Sequence, residues 1–480
     1  MSAPTFFWHD YETFGALPRS DRPAQFAGIR TDAELNEIGE PVMLHCQPGQ
    51  DYLPAPEACL LTGITPQRCA ELGVPEQQFA AAIERELAEP GTIGVGYNSI
   101  RFDDEVTRFL FWRNLIDPYA REWQNRCSRW DLLDVVRATY ALRPEGINWP
   151  RHDNGQVSFK LEHLTAANGL VHDAAHDALS DVRATIALAR LIRDRQPRLF
   201  AFCLSLRQKD AVRHQLQLHQ PAPLIHVSGM FGSERGNLAL VWPLAEHPSN
   251  KNEVLVWDLA HDPHELLALD TANVRRRLFT KSSELAEGES RLPIKSIHIN
   301  KSPFVISDLR VLGAERAQQF GIDMDSVQRH AARAQALPDL APLWREVFRR
   351  EPGEMPDVDE NLYGGFVSNR DRRTLERLRG LSAPALAAAH ESFDDPQLQR
   401  LLYRYRARNF PDSLSPQERQ HWQQWCARKL HLGTPPGRTF ATFQQEIATL
   451  RSCAGAQQQP ILDQLQQWGE QLAARLPRAD

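Results

Sequence analysis

The 480 residues predict an α/β protein in three parts: a strand-and-helix unit over 5–196, a smaller strand-containing unit over 198–350, and a helical unit over 354–478. Three observations carry this. Strand-forming and helix-periodic segments alternate through the first part, which implies a sheet flanked by helices. After Pro197 the texture changes to short strands with helical stretches between them. Glu351 to Glu360, with Pro352, Gly353 and Pro356 among acids, is the clearest linker.

Residues 5 to 12 (Thr-Phe-Phe-Trp-His-Asp-Tyr-Glu) are rich in strand formers and read as a central strand. Phe26 to Ile29 and Val42 to Cys46, bounded by turn residues, extend it as an antiparallel meander. Glu76 to Leu87 is a helix, Thr92 to Tyr97 a buried strand containing glycine, and Asp103 to Asn114 and Asp131 to Leu142 are two further helices. Ala178 to Arg193 places Leu179, Val182, Ile186 and Ala189 on one helical face, and Pro197 is expected to stop it. In the second part Leu238 to Trp242 and Glu253 to Trp257 form a hairpin, with Ser296 to Ile299 another strand. In the third, Ser415-Pro416-Gln417-Glu418 supplies an N-cap, a proline at N1 and a capping-box acid at N3.

With 42% hydrophobic and 24% charged residues the chain is globular in composition. Its net charge of −6 gives it no overall basic field, so any surface for a polyanion must be regional. Seven dispersed cysteines without C-x-x-C spacing argue against a zinc site or a disulfide scaffold and suit a reducing compartment. The N-terminus carries no basic residue before Arg19 and meets an acid at Asp10, unlike a secretory signal, and no uncharged run suits a membrane span. A cytoplasmic protein that does not engage a membrane is expected.

Asp10 and Glu12 lie two apart on a strand, so both carboxylates project from one face and can hold a hard divalent cation. Acid-x-acid pairs arise by chance roughly eight times in a chain of this composition, so context must carry the inference. Here the strand is otherwise apolar, and burying two unpaired charges would cost several kcal/mol each. Two other segments place acids beside apolar structure. Asp103, after Gly96-Tyr97-Asn98-Ser99-Ile100-Arg101-Phe102, is either a simple N-cap or a site residue. His176 stands just before the last helix of the unit and Asp181 one turn inside it.

In identity, order and spacing the set Asp-x-Glu, Asn-x-x-x-Phe-Asp and His-x-x-x-x-Asp resembles the DEDDh family of 3′-to-5′ exonucleases, whose catalytic domain is ribonuclease-H-like. Asp104, beside Asp103, is the one ambiguous neighbour, and the family's Phe-Asp pairing favours Asp103. Longer blocks are similar to one bacterial branch of the family: His-Asp-Tyr-Glu-Thr-Phe-Gly, Ser-Arg-Trp-Asp-Leu-Leu-Asp-Val, His-Val-Ser-Gly-Met-Phe-Gly, His-Ile-Asn-Lys and Tyr-Arg-Ala-Arg-Asn-Phe-Pro, which run from residue 9 to 411. That likeness implies an SH3-like middle domain and a C-terminal helical domain arching over a channel for single-stranded DNA.

The resemblance implies two Mg²⁺ ions, with Mn²⁺ able to substitute. Asp10, Glu12 and Asp181 hold the ion that carries the attacking water, Asp10 also reaches the second, and Asp103 supports it directly or through water. His176 is the expected general base. Single-strand selectivity calls for aromatic platforms interleaved with cations, and residues 101–151 hold nine aromatics and nine arginines. Expected substrate contacts are Glu12, Asn98, Phe102, Arg108, Tyr119, Trp123, Arg137, Arg143 and Lys160, with Lys209, Asn252, Asn300 and Lys301 from the middle part. Arg370, Arg372, Arg373, Arg404, Arg406 and Arg408 are candidates from the last. The resemblance further implies a monomer acting in DNA repair and recombination. It implies one protein partner, the acidic, hydrophobic C-terminal tail of single-stranded DNA-binding protein. The alternatives are an enzyme of RNA ends or proofreading, and a catalytically dead DNA-binding scaffold.

Overall fold

Strand β1 (Thr5–Thr13) pairs antiparallel with β2 (Pro23–Thr31), which pairs antiparallel with β3 (Val42–His45). In this computed structural model, which describes residues 4–172, 177–349, 353 and 355–478, the meander continues into a mixed sheet. Helices α1 (Pro56–Thr62), α2 (Pro66–Leu72) and α3 (Glu76–Leu87) lead to β4 (Thr92–Gly96), which runs parallel to β1. Then follow α4 (Asp103–Arg113), β5 (Ser128–Asp131), α5 (Leu132–Leu142), α6 (Leu161–Ala167) and α7 (Ala178–Arg195). The sheet order is β3-β2-β1-β4-β5.

Strand parity divides β1. Phe7 and Tyr11 point into a core with Phe26, Phe79, Ile83, Leu110 and Phe111, which buries the inner faces of α3 and α4. Trp8, Asp10 and Glu12 take the opposite face, where Trp8 Nε1 donates to Thr31 Oγ1 at 2.9 Å. Of the face read for α7, Val182, Ile186 and Ala189 are buried and Leu179 is half-buried. Pro197 does not leave a loop behind it. It occupies the first turn of another helix, Pro197–Ser205, where its missing N–H costs nothing.

The second sheet is wholly antiparallel, ordered β10-β6-β7-β8-β9 from β6 (Leu224–Val227), β7 (Leu238–Glu246), β8 (Glu253–Asp258), β9 (Ile294–His298) and β10 (Phe304–Ile306). Its core holds Ile225, Val241, Leu255 and the fully buried Trp257. The remaining segment is helical, and at its Pro416–Ala427 helix the Ser415 hydroxyl and the Glu418 carboxylate close the capping box expected of them.

Contacts group the chain into two compact units that interleave in sequence: 1–128 with 172–183 and 354–480, and 129–171 with 184–353. Within the first, the C-terminal helices share cores with the N-terminal part. Phe109, Trp112 and Leu115 pack with Leu375, Leu398 and Tyr405, and Phe14, Leu53 and Ile64 pack with Phe443, Leu462 and Leu465. Trp112 Nε1 donates to the Val358 carbonyl at 2.8 Å. Under these cores Arg408 donates to the fully buried Asp51 and to Asp359, and Arg22 and Lys429 approach the same Asp51 carboxylate. Arg404, Arg406 and Arg408, expected to line a channel, spend their charge internally instead. Arg404 lies over Trp425 and Arg406 pairs with Glu418, because a buried cation must find a counter-charge or a π face.

Candidate metal centre and nucleic-acid interface

Because residues two apart on a strand share a face, Asp10 and Glu12 stand side by side at the C-terminal half of β1. Asp177 caps α7 by accepting the Ser180 N–H at 3.0 Å, which turns Asp181 toward the same point one turn later. One ligand oxygen from each of Asp10, Glu12 and Asp181 lies within 4.8 Å of the others. Asp103 joins them. It is the first residue of α4 and does not cap it: its Oδ1 accepts the Tyr11 N–H at 3.1 Å, so the backbone between Asp10 and Glu12 fixes this carboxylate beside them.

Crowded acids out of water repel. Burial, then Asp103 and Asp181, push the Asp10 carboxyl well above its usual range. Burial, then Asp10, Asp181 and Asp177, push Glu12 up to about 9. A divalent cation bound among them offsets this repulsion and favours the ionised carboxylates, and a donor set of carboxylate oxygens alone suits a hard ion that retains waters. These residues therefore fit the metal that the motif implies. His176 lies outside the described residues. A second histidine, which sequence reading passed over, is present: His172 Nε2 meets Asp181 Oδ1 at 2.5 Å from a ring almost wholly buried. No spacing rule could have singled it out, since it stands nine residues before its partner in a loop.

Residues 7–189 match the model described as exonuclease, 207–350 the exonuclease I SH3-like domain, and 356–472 the exonuclease I C-terminal domain. The chain is 48% identical over 422 residues to exodeoxyribonuclease I of Escherichia coli K12, covering 87% of this chain and 88% of that one. It is 47% identical over 429 residues to the Haemophilus influenzae enzyme of the same name, covering 89% and 90%. The chain belongs to the exonuclease I family. Among solved structures it resembles E. coli exonuclease I in complex with a dA16 oligonucleotide, with a TM-score of 0.93, 44% identity and coverage of 98% of this chain and 100% of that one. The moderately thermophilic exonuclease I of Methylocaldum szegediense gives a TM-score of 0.92 at 46% identity, with coverage of 98% and 100%.

As a member of the exonuclease I family the chain is a nuclease, with a ribonuclease-H-like exonuclease domain, an SH3-like domain and a helical C-terminal domain. The expected substrate contacts fall in both compact units. In the first, Tyr119 and the exposed Trp123 border a cavity of about 540 Å³ with Trp112, Tyr363, Phe366 and Arg372. Phe366 and Tyr363 were missed by sequence reading: an exposed aromatic in a Gly-Gly loop has no periodic partner to mark it. Phe102 packs at the margin of the β1 core, and Asn98 takes a positive φ of 62° in the turn before α4. Arg108 is engaged inside the protein, by Glu122, Glu105 and the Tyr363 hydroxyl.

In the second unit Lys209 Nζ donates to Asn252 Oδ1 at 2.8 Å, so two of the expected contacts adjoin. The Asn300 carbonyl accepts from Arg129, and the Lys301 N–H reaches the His298 carbonyl. Arg137 pairs with Asp134, and its guanidinium lies against Gly229, where a Cβ would stand 2.8 Å from it. Lys160 is exposed and loosely paired with Glu162. Arg143 donates to the Val311 carbonyl and borders a different cavity, of about 460 Å³, with Arg198, Leu199, Phe202 and Ile306. Among the described residues no helix is long and apolar enough to cross a membrane.

Proposed function

We propose that the protein is a Mg²⁺-dependent exonuclease that removes nucleotides from the 3′ end of single-stranded DNA, releasing 5′-mononucleotides. The observation that carries this is the convergence of Asp10, Glu12 and Asp181 oxygens within 4.8 Å of one another. Two divalent ions bound among these carboxylates would supply the charge that stabilises the attacking and leaving oxygens. Asp10, Glu12 and Asp181 are the proposed ligands, with Asp103 held by the Tyr11 N–H in support. His176, which the motif places one residue before Asp177 in sequence, is proposed to accept the proton of the attacking water, as neutral imidazole does near neutral pH.

Exposed Trp123 and Phe366, with Tyr119 and Tyr363 at the same cavity, support stacking of unpaired bases, which is indifferent to sequence. A base pair offers no free face for such stacking, so a duplex is excluded. Lys160, Arg137, Lys209, Asn252, Asn300 and Lys301 are proposed to follow the backbone, alongside Asn98 and Phe102 near the end of the strand. We take 5–196, 198–350 and 354–478 as the functional domains, and a monomer retained on the strand through successive cuts in the cytoplasm, serving repair and recombination. E. coli exonuclease I has been solved with oligonucleotides and in a zinc-bound complex with single-stranded DNA.

The acidic, hydrophobic tail of single-stranded DNA-binding protein is the proposed protein partner. The cavity with apolar Leu199, Phe202, Phe304 and Ile306 beneath Arg143 and Arg198 has the chemistry such a tail requires, an apolar seat beside cations. In this reading Arg143 serves the partner tail rather than the DNA. The deciding experiment supplies Mg²⁺ with a labelled single strand, its duplex and an RNA counterpart. Mononucleotide release from the DNA strand alone is expected. Preference for RNA supports the RNA-end alternative, and binding without release supports the scaffold.

A further inference from the structure

Helix α4 and the turn at 119–123 are joined by two ion pairs of opposite sense. Asp104 Oδ1 meets Arg121 Nη2 at 2.5 Å, both side chains fully buried. One helical turn on, Arg108 donates to Glu122 through two nitrogens, at 2.7 and 3.0 Å, and its guanidinium lies 5.2 Å from the Tyr119 ring centre. The helix therefore offers an acid and then a base, and the turn answers with a base and then an acid. Reversed or shifted pairing would set like charges together, so the arrangement fixes one register.

Each end of this clasp adjoins functional machinery. Asp104 follows Asp103, whose carboxylate is held by the Tyr11 N–H. Arg121 and Glu122 sit between Tyr119 and the exposed Trp123. Stability alone does not call for such a device, since a buried ion pair is often no better than apolar residues of the same volume. What directional charged bonds add is fixed geometry.

We propose that Asp104, Arg121 and Glu122 are positioning residues: acting with Arg108, they fix the aromatic turn relative to Asp103 and so set how far a stacked strand reaches toward the acidic cluster. This rests on the reading that Tyr119 and Trp123 carry DNA. A strand displaced by about 1 Å can lose roughly 10²-fold in rate, so small motions of the turn suffice. A substrate too short to touch the turn is indifferent to it.

The test compares a long oligothymidylate with the p-nitrophenyl ester of thymidine 5′-monophosphate, in wild type, R121M, E122Q, R121K and W123A. R121M and E122Q are expected to lower kcat on the long strand by about 10- to 100-fold and to hydrolyse the ester within about twofold of wild type. R121K, which keeps the charge, is expected to recover part of the loss. Equal losses on both substrates would make the pairs supports of the acidic cluster or of the fold, and no loss on either would make them inert. Either result overturns the proposal. E122Q, at the less buried pair, keeps the test valid if R121M does not fold. W123A tests the reading beneath: unchanged long-strand turnover in W123A removes the platform, whereas a W123A defect with silent clasp variants removes only the clasp.

Discussion

Glu12 shows at one residue why a metal centre is a fold's liability. Its carboxyl is raised from 4.5 to about 9 by burial and by Asp10, Asp181 and Asp177, so the native state without metal holds a proton that the unfolded chain releases. Stability then falls as pH rises through that window, by linkage. E12Q removes the repulsion. In EDTA its melting temperature is expected to exceed wild type by a few degrees, with a gap that widens from about pH 5 to about pH 9, while cleavage with Mg²⁺ falls on the order of 10³-fold. A gap that shrinks with pH would contradict the assignment. H176A is expected to lose about 10²- to 10⁴-fold in rate, the usual worth of a positioned base. The acids were legible because charge in an apolar strand needs a reason. His172 was not, because a residue that orients another through one hydrogen bond leaves no periodic trace.

Among elements, long amphipathic or strand-rich segments announced themselves, and α3 has the bounds read for it, Glu76–Leu87. The seven-residue helices α1, α2 and α6 did not, since two turns are too short for a periodic face and Pro56 and Pro66 look like loop punctuation while serving as helix starts. The four-residue β5 likewise went unread, with its last residue, Asp131, taken as the start of the helix that follows it. The join between β4 and α4 couples element to site. A Cβ on Gly96 would stand 2.6 Å from Ser99 Cβ and 2.9 Å from the His9 carbonyl oxygen, so only glycine lets the chain turn there and bring Asp103 under Tyr11. G96A is expected to cost about 1–3 kcal/mol and to lower cleavage beyond what its stability loss explains. Denaturant melts paired with rates at low temperature check this, and full activity in G96A would show that the close approach does not place Asp103.

At the scale of the molecule, three sequential homology segments fold into units that do not follow their order. Sequence reading took Glu351 to Glu360 for a linker, but Val358 and Asp359 are buried in the shared cores, which it could not foresee because Arg408 with Asp51, or Trp112 with Val358, are pairings hundreds of residues apart that no local pattern encodes. Residues 1–196 alone would expose Phe14, Leu53, Phe109, Trp112 and Leu115, so that fragment is expected to aggregate or to melt far below the full chain. A soluble fragment with the parent's melting temperature would contradict this. Burial alone would raise Asp51, but Arg408, Lys429 and Arg22 outweigh it and hold its carboxyl well below the usual range. Its contribution is therefore complete above the ordinary carboxylate pKa and lost as pH falls through the depressed one. D51N, which strands buried cations, is expected to cost about 3–5 kcal/mol near neutrality and progressively less in acid, as read from urea melts across pH.

Carboxylates distant in sequence build a cluster suited to a cation. Anomalous diffraction from crystals soaked in Mn²⁺ tests it most directly. The expected result is density bonded to Asp10, Glu12 and Asp181 that vanishes in D10N. Density elsewhere, or none at these three carboxylates, would contradict it.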